Sequence, residues 1–302
     1  MRVEEIQIAV ADVVLPPPDI TVSEWADENR RLSSESAAER GEWRTDRAPY
    51  QRAIMDALSP SHPCEQVVLM SGAQLGKTSI LENFIGYIIG LDPGPVLLVQ
   101  PREADCEAFS KDRLAPMLRD CSTLRGKVAG VRSRDSNNTI LHKKFTGGSI
   151  TMSAASSPAG LAMRSIRYCL LDEVDRYPAS AGAEGDPVNL AITRTANFWN
   201  RKIVLCSTPT VKGASRIEAA WMESNQQTYW VPCPHCGGPQ VLRWSNVEWP
   251  EGEPEQARYR CEHCSQMIGE HQKASMLKHG EWRAVRSESE GMLVAGFWIN
   301  SL

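Results

Sequence analysis

Apolar residues gather in short, nearly continuous runs through the middle of the chain. QVVLMS (66–71), PVLLVQP (95–101), SITMSAA (149–155), IRYCLLDE (166–173) and KIVLCSTP (202–209) each read as a strand. Runs with so little alternation belong to strands buried on both faces. Between them, QRAIMDAL (51–58) is a short amphipathic helix, ILENFIGYIIG (80–90) an apolar helix, and AFSKDRLAPMLRD (108–120) a further helix. Strands alternating with helices predict an α/β fold, a mostly parallel sheet covered on both faces.

Upstream, Pro16, Pro17 and Pro18 make an arm, followed by a polar helical stretch, TVSEWADENRRLSSESAAERGEW (21–43). Thr21 or Ser23 is placed to cap that helix, with Glu24 nearby. The arm also reads as a surface segment with no function of its own. After Thr228 the composition becomes turn-rich and loses its apolar periodicity, so that stretch is too small for a core and needs a staple. Four parts result: an arm and helix (1–45), the α/β body (46–227), an insertion (228–270) and a C-terminal segment (271–302).

Composition narrows the class. Among 302 residues, 42% are hydrophobic and 23% charged, as in ordinary soluble domains. No apolar run is long enough to span a bilayer. The first residues, MRVEEIQIAVADVV, carry acids where a secretion signal carries bases. The net charge of −4 disfavours a passive DNA-coating protein and leaves an energy-driven machine open.

The candidate chemistry begins at SGAQLGKTS, a glycine turn between a strand and a helix. Backbone N–H groups of Gly72, Ala73, Gln74, Leu75 and Gly76 can cradle phosphate oxygens, helped by the positive end of the following helix. Lys77 then reaches the β- and γ-phosphates of ATP, and the Thr78 hydroxyl holds Mg²⁺. Ser71 stands where the strict pattern has its first glycine. The strand IRYCLLDE ends in acids. Asp172 suits the Mg²⁺ side, and Glu173 suits activation of the attacking water. Ser207 and Thr208 end a later strand, where hydroxyls can sense the γ-phosphate and couple its loss to motion, although such an ending is also a common turn. Gln51 lies ahead of the glycine turn; its amide can satisfy adenine, or sit on a helix surface. The fold expected is of P-loop, RecA/ASCE-like type.

Nine cysteines divide into two groups. Cys64, Cys106, Cys121, Cys169 and Cys206 are scattered and read as reduced, packed thiols. Cys233 and Cys236, and Cys261 and Cys264, form two Cys-x-x-Cys knuckles suited to one structural Zn²⁺ in a small ribbon. His235 and His263 lie inside the knuckles as spare ligands at best.

A basic run carries Arg125, Lys127, Arg132, Arg134, Lys143 and Lys144, fitting DNA phosphates or a solvated loop alike. Arg164 and Arg167 precede the acidic strand.

SGAQLGKTS, LLDEVD and CSTPT, in that order, look like motor motifs of helicases and terminases. With PPPDITVSEWADENR, RTDRAPYQRAIMDAL, VPCPHCGGPQ, YRCEHC and GFWINSL, the chain resembles the lambda-type large terminase subunits of tailed bacteriophages over essentially its whole length. The resemblance implies an ATPase that moves double-stranded DNA into a procapsid from the host cytoplasm. It also implies a homo-oligomeric ring at the capsid portal and a small terminase subunit as partner. Family members usually continue into a nuclease domain, and nuclease activity is expected only of a longer chain. They often carry an arginine inside the phosphate loop. Here that loop has none, so Arg125, Arg132, Arg134, Arg164 and Arg167 are the candidate donors, in cis or from a neighbouring copy. Two other readings stand beside this one. A helicase-like DNA-remodelling ATPase needs a second such domain. A zinc-ribbon nucleic-acid-binding module on an inactive ATPase fold sits poorly with intact Lys77, Thr78, Asp172 and Glu173.

Overall fold

The computed structural model describes residues 18–35, 40–128, 138–286 and 293–302. Pro16, Pro17, Arg132 and Arg134 lie outside the described residues.

Helix α1 (Val22–Asn29) starts at Thr21, whose hydroxyl accepts from the Glu24 N–H while the Glu24 carboxylate accepts from the Thr21 N–H. This reciprocal cap settles the choice between Thr21 and Ser23. The helix is shorter than expected. Arg30 turns extended, and Arg31–Leu32 (β1) pairs with Gly41–Glu42 (β2). The Arg30 guanidinium is drawn into a buried ion pair with Glu82, which fixes where the helix stops.

The chain continues through α2 (Gln51–Ala57), β3 (Gln66–Ser71), α3 (Lys77–Gly90), β4 (Pro95–Gln100) and α4 (Glu103–Ala108). A π-turn over Phe109–Leu114 leads into α5 (Ala115–Asp120), so the expected helix over 108–120 is interrupted by a wider turn. Next come β5 (His142–Phe145), β6 (Gly148–Ala154), α6 (Pro158–Ala162), β7 (Tyr168–Asp172), α7 (Pro187–Thr193), β8 (Lys202–Ser207), α8 (Arg216–Met222) and β9 (Gln227–Pro232). The last part holds β10 (Pro239–Gln240), β11 (Val247–Glu248), β12 (Arg258–Arg260), β13 (Met267–Ile268), α9 (Glu270–Lys278), β14 (Glu281–Arg283) and β15 (Val294–Ile299).

Among the described residues, ten strands form one sheet in the order β10-β9-β15-β3-β8-β7-β4-β6-β5, with β14 also on β9. From β9 to β6 every neighbouring pair is parallel, and only β5, β10 and β14 join antiparallel. Each strand feeds two cores by its period of two. Val67, Leu69, Leu98, Leu170 and Val204 face α1, α2 and α3. Val68, Met70, Val99, Leu171 and Leu205 face α6, α7 and α8. The mixed α/β architecture with helices on both faces is as the apolar runs predict.

One strand was not placed from sequence. Val294–Ile299 lies between β9 and β3, with its register running from Val294 opposite Gln66 to Ile299 opposite Ser71. After β9 the chain adds β10 and β14 beside that strand, with the small β11–β13 sheet and α9 between them, and then re-enters the middle of the sheet beside the glycine turn.

Candidate functional site

The glycine turn joins β3 to α3. Gly76 caps the helix at φ +82°, and a Cβ there would collide with Gln51 Nε2 at 2.3 Å. Gly72 is equally confined: a Cβ would sit 2.1 Å from Ser301 Oγ, just past the end of β15. A side chain at either glycine would have to displace Gln51 or Ser301, and at Gly76 it would also strain the left-handed backbone. Gln51 Nε2 donates to Leu75 O at 3.0 Å, so this residue grips the loop itself; its Oε1 is buried and unpartnered.

Lys77 is buried at the first turn of α3. Its Nζ donates to Thr208 Oγ1 at 2.8 Å and Gly72 O at 3.2 Å, and lies 3.6 Å from Glu173 Oε1. Glu173 reaches it because its backbone is left-handed, φ +54°, directly after β7. A glutamate in that conformation is strained by about 1–3 kcal/mol, the kind of cost found at functional corners.

Asp172 ends β7 and is buried. Burial pushes its carboxyl above the usual range, and the Glu173 charge adds to the rise; hydrogen bonds from Cys206 and Gln100 and the Lys77 charge oppose it. Thr78, Gln100, Phe109, Asp112, Arg113 and Asp172 line a cleft of about 410 Å³. The π-turn borders this cleft, as such turns often do at functional sites.

Asp175 lies next to Ser207. Its N–H donates to Ser207 Oγ (3.3 Å), and its carboxylate accepts from Thr210 N–H (2.9 Å), Thr210 Oγ1 (3.0 Å) and Ile217 N–H (2.8 Å). Burial opposes ionisation here, but hydrogen bonds from Ser215, Ile217 and Thr210 outweigh it and hold the carboxyl low. The sequence reading missed Asp175, Gln100 and Arg176. Arg176 Nε lies 3.7 Å from Glu173 Oε2 on a largely exposed side chain. Its signal was available: a basic residue one helical turn after the acidic pair.

The candidate arginines separate by environment. Arg167 holds Asp92 with two bonds of 2.8 and 2.7 Å and lies over the Tyr168 ring, a packed structural pair. Arg125 Nε donates to Arg119 O at 3.1 Å. Arg164 is exposed, with Nη1 3.3 Å from His142 Nε2. Lys143 is buried and Lys144 exposed.

The four knuckle cysteines converge. Cys233 Sγ and Cys264 Sγ are 3.9 Å apart, as are Cys236 Sγ and Cys261 Sγ, and all four sulfurs lie within 4.8 Å of one another. At about 2.3 Å per Zn–S bond, a tetrahedron has S···S edges of about 3.8 Å. Within each knuckle an N–H donates to sulfur: His235 to Cys233 (3.4 Å) and His263 to Cys261 (3.3 Å). The Nε2 atom of each imidazole meets a backbone carbonyl. His235 Nε2 meets Met267 O and His263 Nε2 meets Pro239 O, so each knuckle grips the strand after the other. The remaining five cysteines are all buried.

This lobe touches the glycine turn. Leu75 packs against the apolar cluster that includes Tyr50, Tyr229, Cys233, Cys261, Met276 and Ile299. Ser301 Oγ donates to Ala73 O at 3.3 Å, and Asn300 Nδ2 donates to Leu242 O at 2.6 Å.

A mostly parallel sheet with a glycine turn, a buried lysine and an acidic strand end gathered at the C-terminal ends of its strands defines an α/β protein whose candidate chemistry sits where strands hand over to loops. The sequence model described as "Phage terminase large subunit gpA, ATPase domain" matches residues 37–282, and the chain belongs to that family. It is 30% identical over 266 residues to the terminase large subunit of Escherichia phage lambda, covering 85% of this chain and 41% of that protein. It is 28% identical over 285 residues to the terminase large subunit of Enterobacteria phage P21, covering 92% and 44% respectively. The chain thus spans less than half the length of these relatives. The crystal structure of the HK97 bacteriophage large terminase shares the fold, with a TM-score of 0.53 and 12% identity over 68% of this chain and 41% of that one.

Proposed function

We propose that this chain is the ATP-hydrolysing motor domain of a DNA-packaging terminase, driving double-stranded DNA into a procapsid. The observation that carries the reading is the approach of Lys77 Nζ to Thr208 Oγ1 (2.8 Å) and to Glu173 Oε1 (3.6 Å), beside a cleft lined by Thr78 and Asp172. Family membership supplies the class of reaction.

In this reading Gly72, Ala73, Gln74, Leu75 and Gly76 form a P-loop of RecA/ASCE type, and their N–H groups receive phosphate oxygens at the start of α3. Lys77 exchanges Thr208 for the β- and γ-phosphates. Gln51 holds the loop at Leu75, and its unpartnered Oε1 is the atom proposed to meet adenine. Thr78 and Asp172 offer hard oxygen ligands, the donor set that suits Mg²⁺. Mg²⁺, when bound, offsets the phosphate charge during transfer. Glu173 orients the attacking water and accepts its proton. Thr208, released by Lys77, and Ser207, tied to Asp175, carry the change along β8. The four cysteines, Cys233, Cys236, Cys261 and Cys264, fit one structural Zn²⁺ with no position left for catalysis.

Residues 46–227 form the nucleotide-binding body in this proposal, 228–270 the zinc-ribbon insertion, and 271–302 the return through β15, with 1–45 as an arm. The partners proposed are double-stranded DNA, a small terminase subunit, a capsid portal and further copies in a ring, acting in the host cytoplasm. No described helix is long and apolar enough to cross a membrane. The test is phosphate release from ATP, measured with and without double-stranded DNA and a small subunit, with Lys77→Ala as control. Hydrolysis that rises with DNA and vanishes in the control is expected. Absence of hydrolysis under every condition would overturn the motor.

A further inference from the structure

We infer that Gln100 and Cys206 are positioning residues that clamp the Asp172 carboxylate between them, one donor for each oxygen, and thereby set the metal affinity of the site. The inference rests on the reading of Asp172 as a group on the Mg²⁺ side.

Three strands make the clamp. β4, β7 and β8 lie side by side and parallel. Asp172 stands directly opposite Cys206 in the β7–β8 register. In the β4–β7 register Val99 stands opposite Leu171, which brings Gln100 level with Asp172. All three residues continue the even-numbered positions of their strands, Leu98, Leu170 and Val204, and so share the face toward α3. The contacts follow. The Cys206 thiol donates to Asp172 Oδ1 at 3.1 Å, and Gln100 Nε2 donates to Asp172 Oδ2 at 3.1 Å. All three side chains are buried.

Both donors are neutral, and that decides what they do. An arginine or lysine in either place would cancel the charge that a cation needs and would compete with it. A thiol and an amide fix the carboxylate plane while leaving its charge and remaining lone pairs to the cleft that Asp172 lines together with Thr78. Ligands held this way need no reorganisation when metal arrives, and losing such an outer partner typically costs about 10–100-fold in metal affinity. A buried thiol or a glutamine at a strand end that merely filled space would not need to address separate oxygens of one carboxylate.

The experiment titrates Mn²⁺ into the protein with ADP, reading free Mn²⁺ by electron paramagnetic resonance, and measures ADP binding separately in EDTA. Gln100→Ala and Cys206→Ala are each expected to raise the Mn²⁺ dissociation constant about 10–100-fold while leaving metal-free ADP binding unchanged. Cys206→Ser, which keeps a donor, is expected to restore most of the affinity. A purely packing role would instead make Cys206→Ser and Cys206→Ala alike, and unchanged Mn²⁺ affinity in both Gln100→Ala and Cys206→Ala would overturn the clamp. Asp172→Asn separates the two levels. If it loses Mn²⁺ while the clamp variants do not, only the clamp falls; if it keeps Mn²⁺, the reading of Asp172 falls and takes the clamp with it. Should Cys206→Ala fail to fold, the Gln100→Ala titration alone decides.

Discussion

Lys77 and Thr208 are joined by a hydrogen bond of 2.8 Å between Nζ and Oγ1, linking the first turn of α3 to the residue just past β8. In the proposed reading a phosphate at Lys77 competes with this bond, which would couple phosphate arrival and departure to the loop after β8. Thr208→Val is expected to keep ATP binding and to reduce DNA movement more than hydrolysis. Lys77→Ala is expected to abolish hydrolysis and weaken nucleotide binding. Equilibrium binding of a fluorescent nucleotide, beside phosphate release and packaging assays, checks both. A loss of ATP affinity in Thr208→Val as large as in Lys77→Ala would make Thr208 a phosphate ligand rather than a relay.

Glu173→Gln keeps the shape of the side chain and removes the base. ATP binding should persist while hydrolysis slows by on the order of 10²-fold or more. Single-turnover hydrolysis beside binding measurements decides; equal losses in both would reassign the roles of Asp172 and Glu173.

Glu82 and Arg30 form a buried ion pair between α3 and the end of α1, and Arg113 Nε stands 4.0 Å from the same carboxylate. Glu82→Ala leaves Arg30 charged and buried without its partner, and should destabilise the fold by about 3–5 kcal/mol. Urea unfolding measures this; a change under 1 kcal/mol, small beside the ~3–5 expected, would show that Arg30 finds water or another acceptor.

The protein should carry about one zinc per chain. Because Leu75 packs in the same cluster as Cys233 and Cys261, loosening the lobe reaches the glycine turn. Cys236→Ser should lower zinc content and weaken nucleotide binding modestly, with the sheet intact by circular dichroism. Metal-free protein after purification without chelator, by elemental analysis, would count against the site.

An arginine is worth about 10³–10⁵ in rate where it stabilises a transferring phosphoryl group. Arg164 is exposed, while Arg167 is committed to Asp92. If a neighbouring copy supplies the charge, activity per chain rises with protein concentration, and mixing Arg164→Ala with Lys77→Ala restores part of it. Arg176, beside Glu173, is the cis alternative. Full activity in a dilute monomer, lost on Arg176→Ala, would locate the arginine in cis.

Much of this was legible along the chain because it is local. The strands at 66–71, 95–100 and 202–207 are continuous apolar runs, and burial on both faces leaves them no other use. The glycine turn and the acids at 172 and 173 announce themselves because phosphate chemistry needs those residue types at a strand's end. The two cysteine knuckles pair by spacing alone.

Contacts between distant segments were decided only by folding. Nothing near Val294–Ile299 says that it enters the sheet between β9 and β3, because the strands it pairs with are distant in sequence. Gln51, readable as an adenine contact or a surface residue, is placed by the packing of α2 to grip Leu75. Arg167, a candidate donor by position, is tied to Asp92 across 75 residues. Cys206, one of five ordinary thiols in sequence, faces Asp172 because parallel register set them side by side. Local pattern determined which elements form and which residues can do chemistry. Register and layer packing, which depend on hydrogen bonds and burial between segments far apart in sequence, determined which of those residues meet.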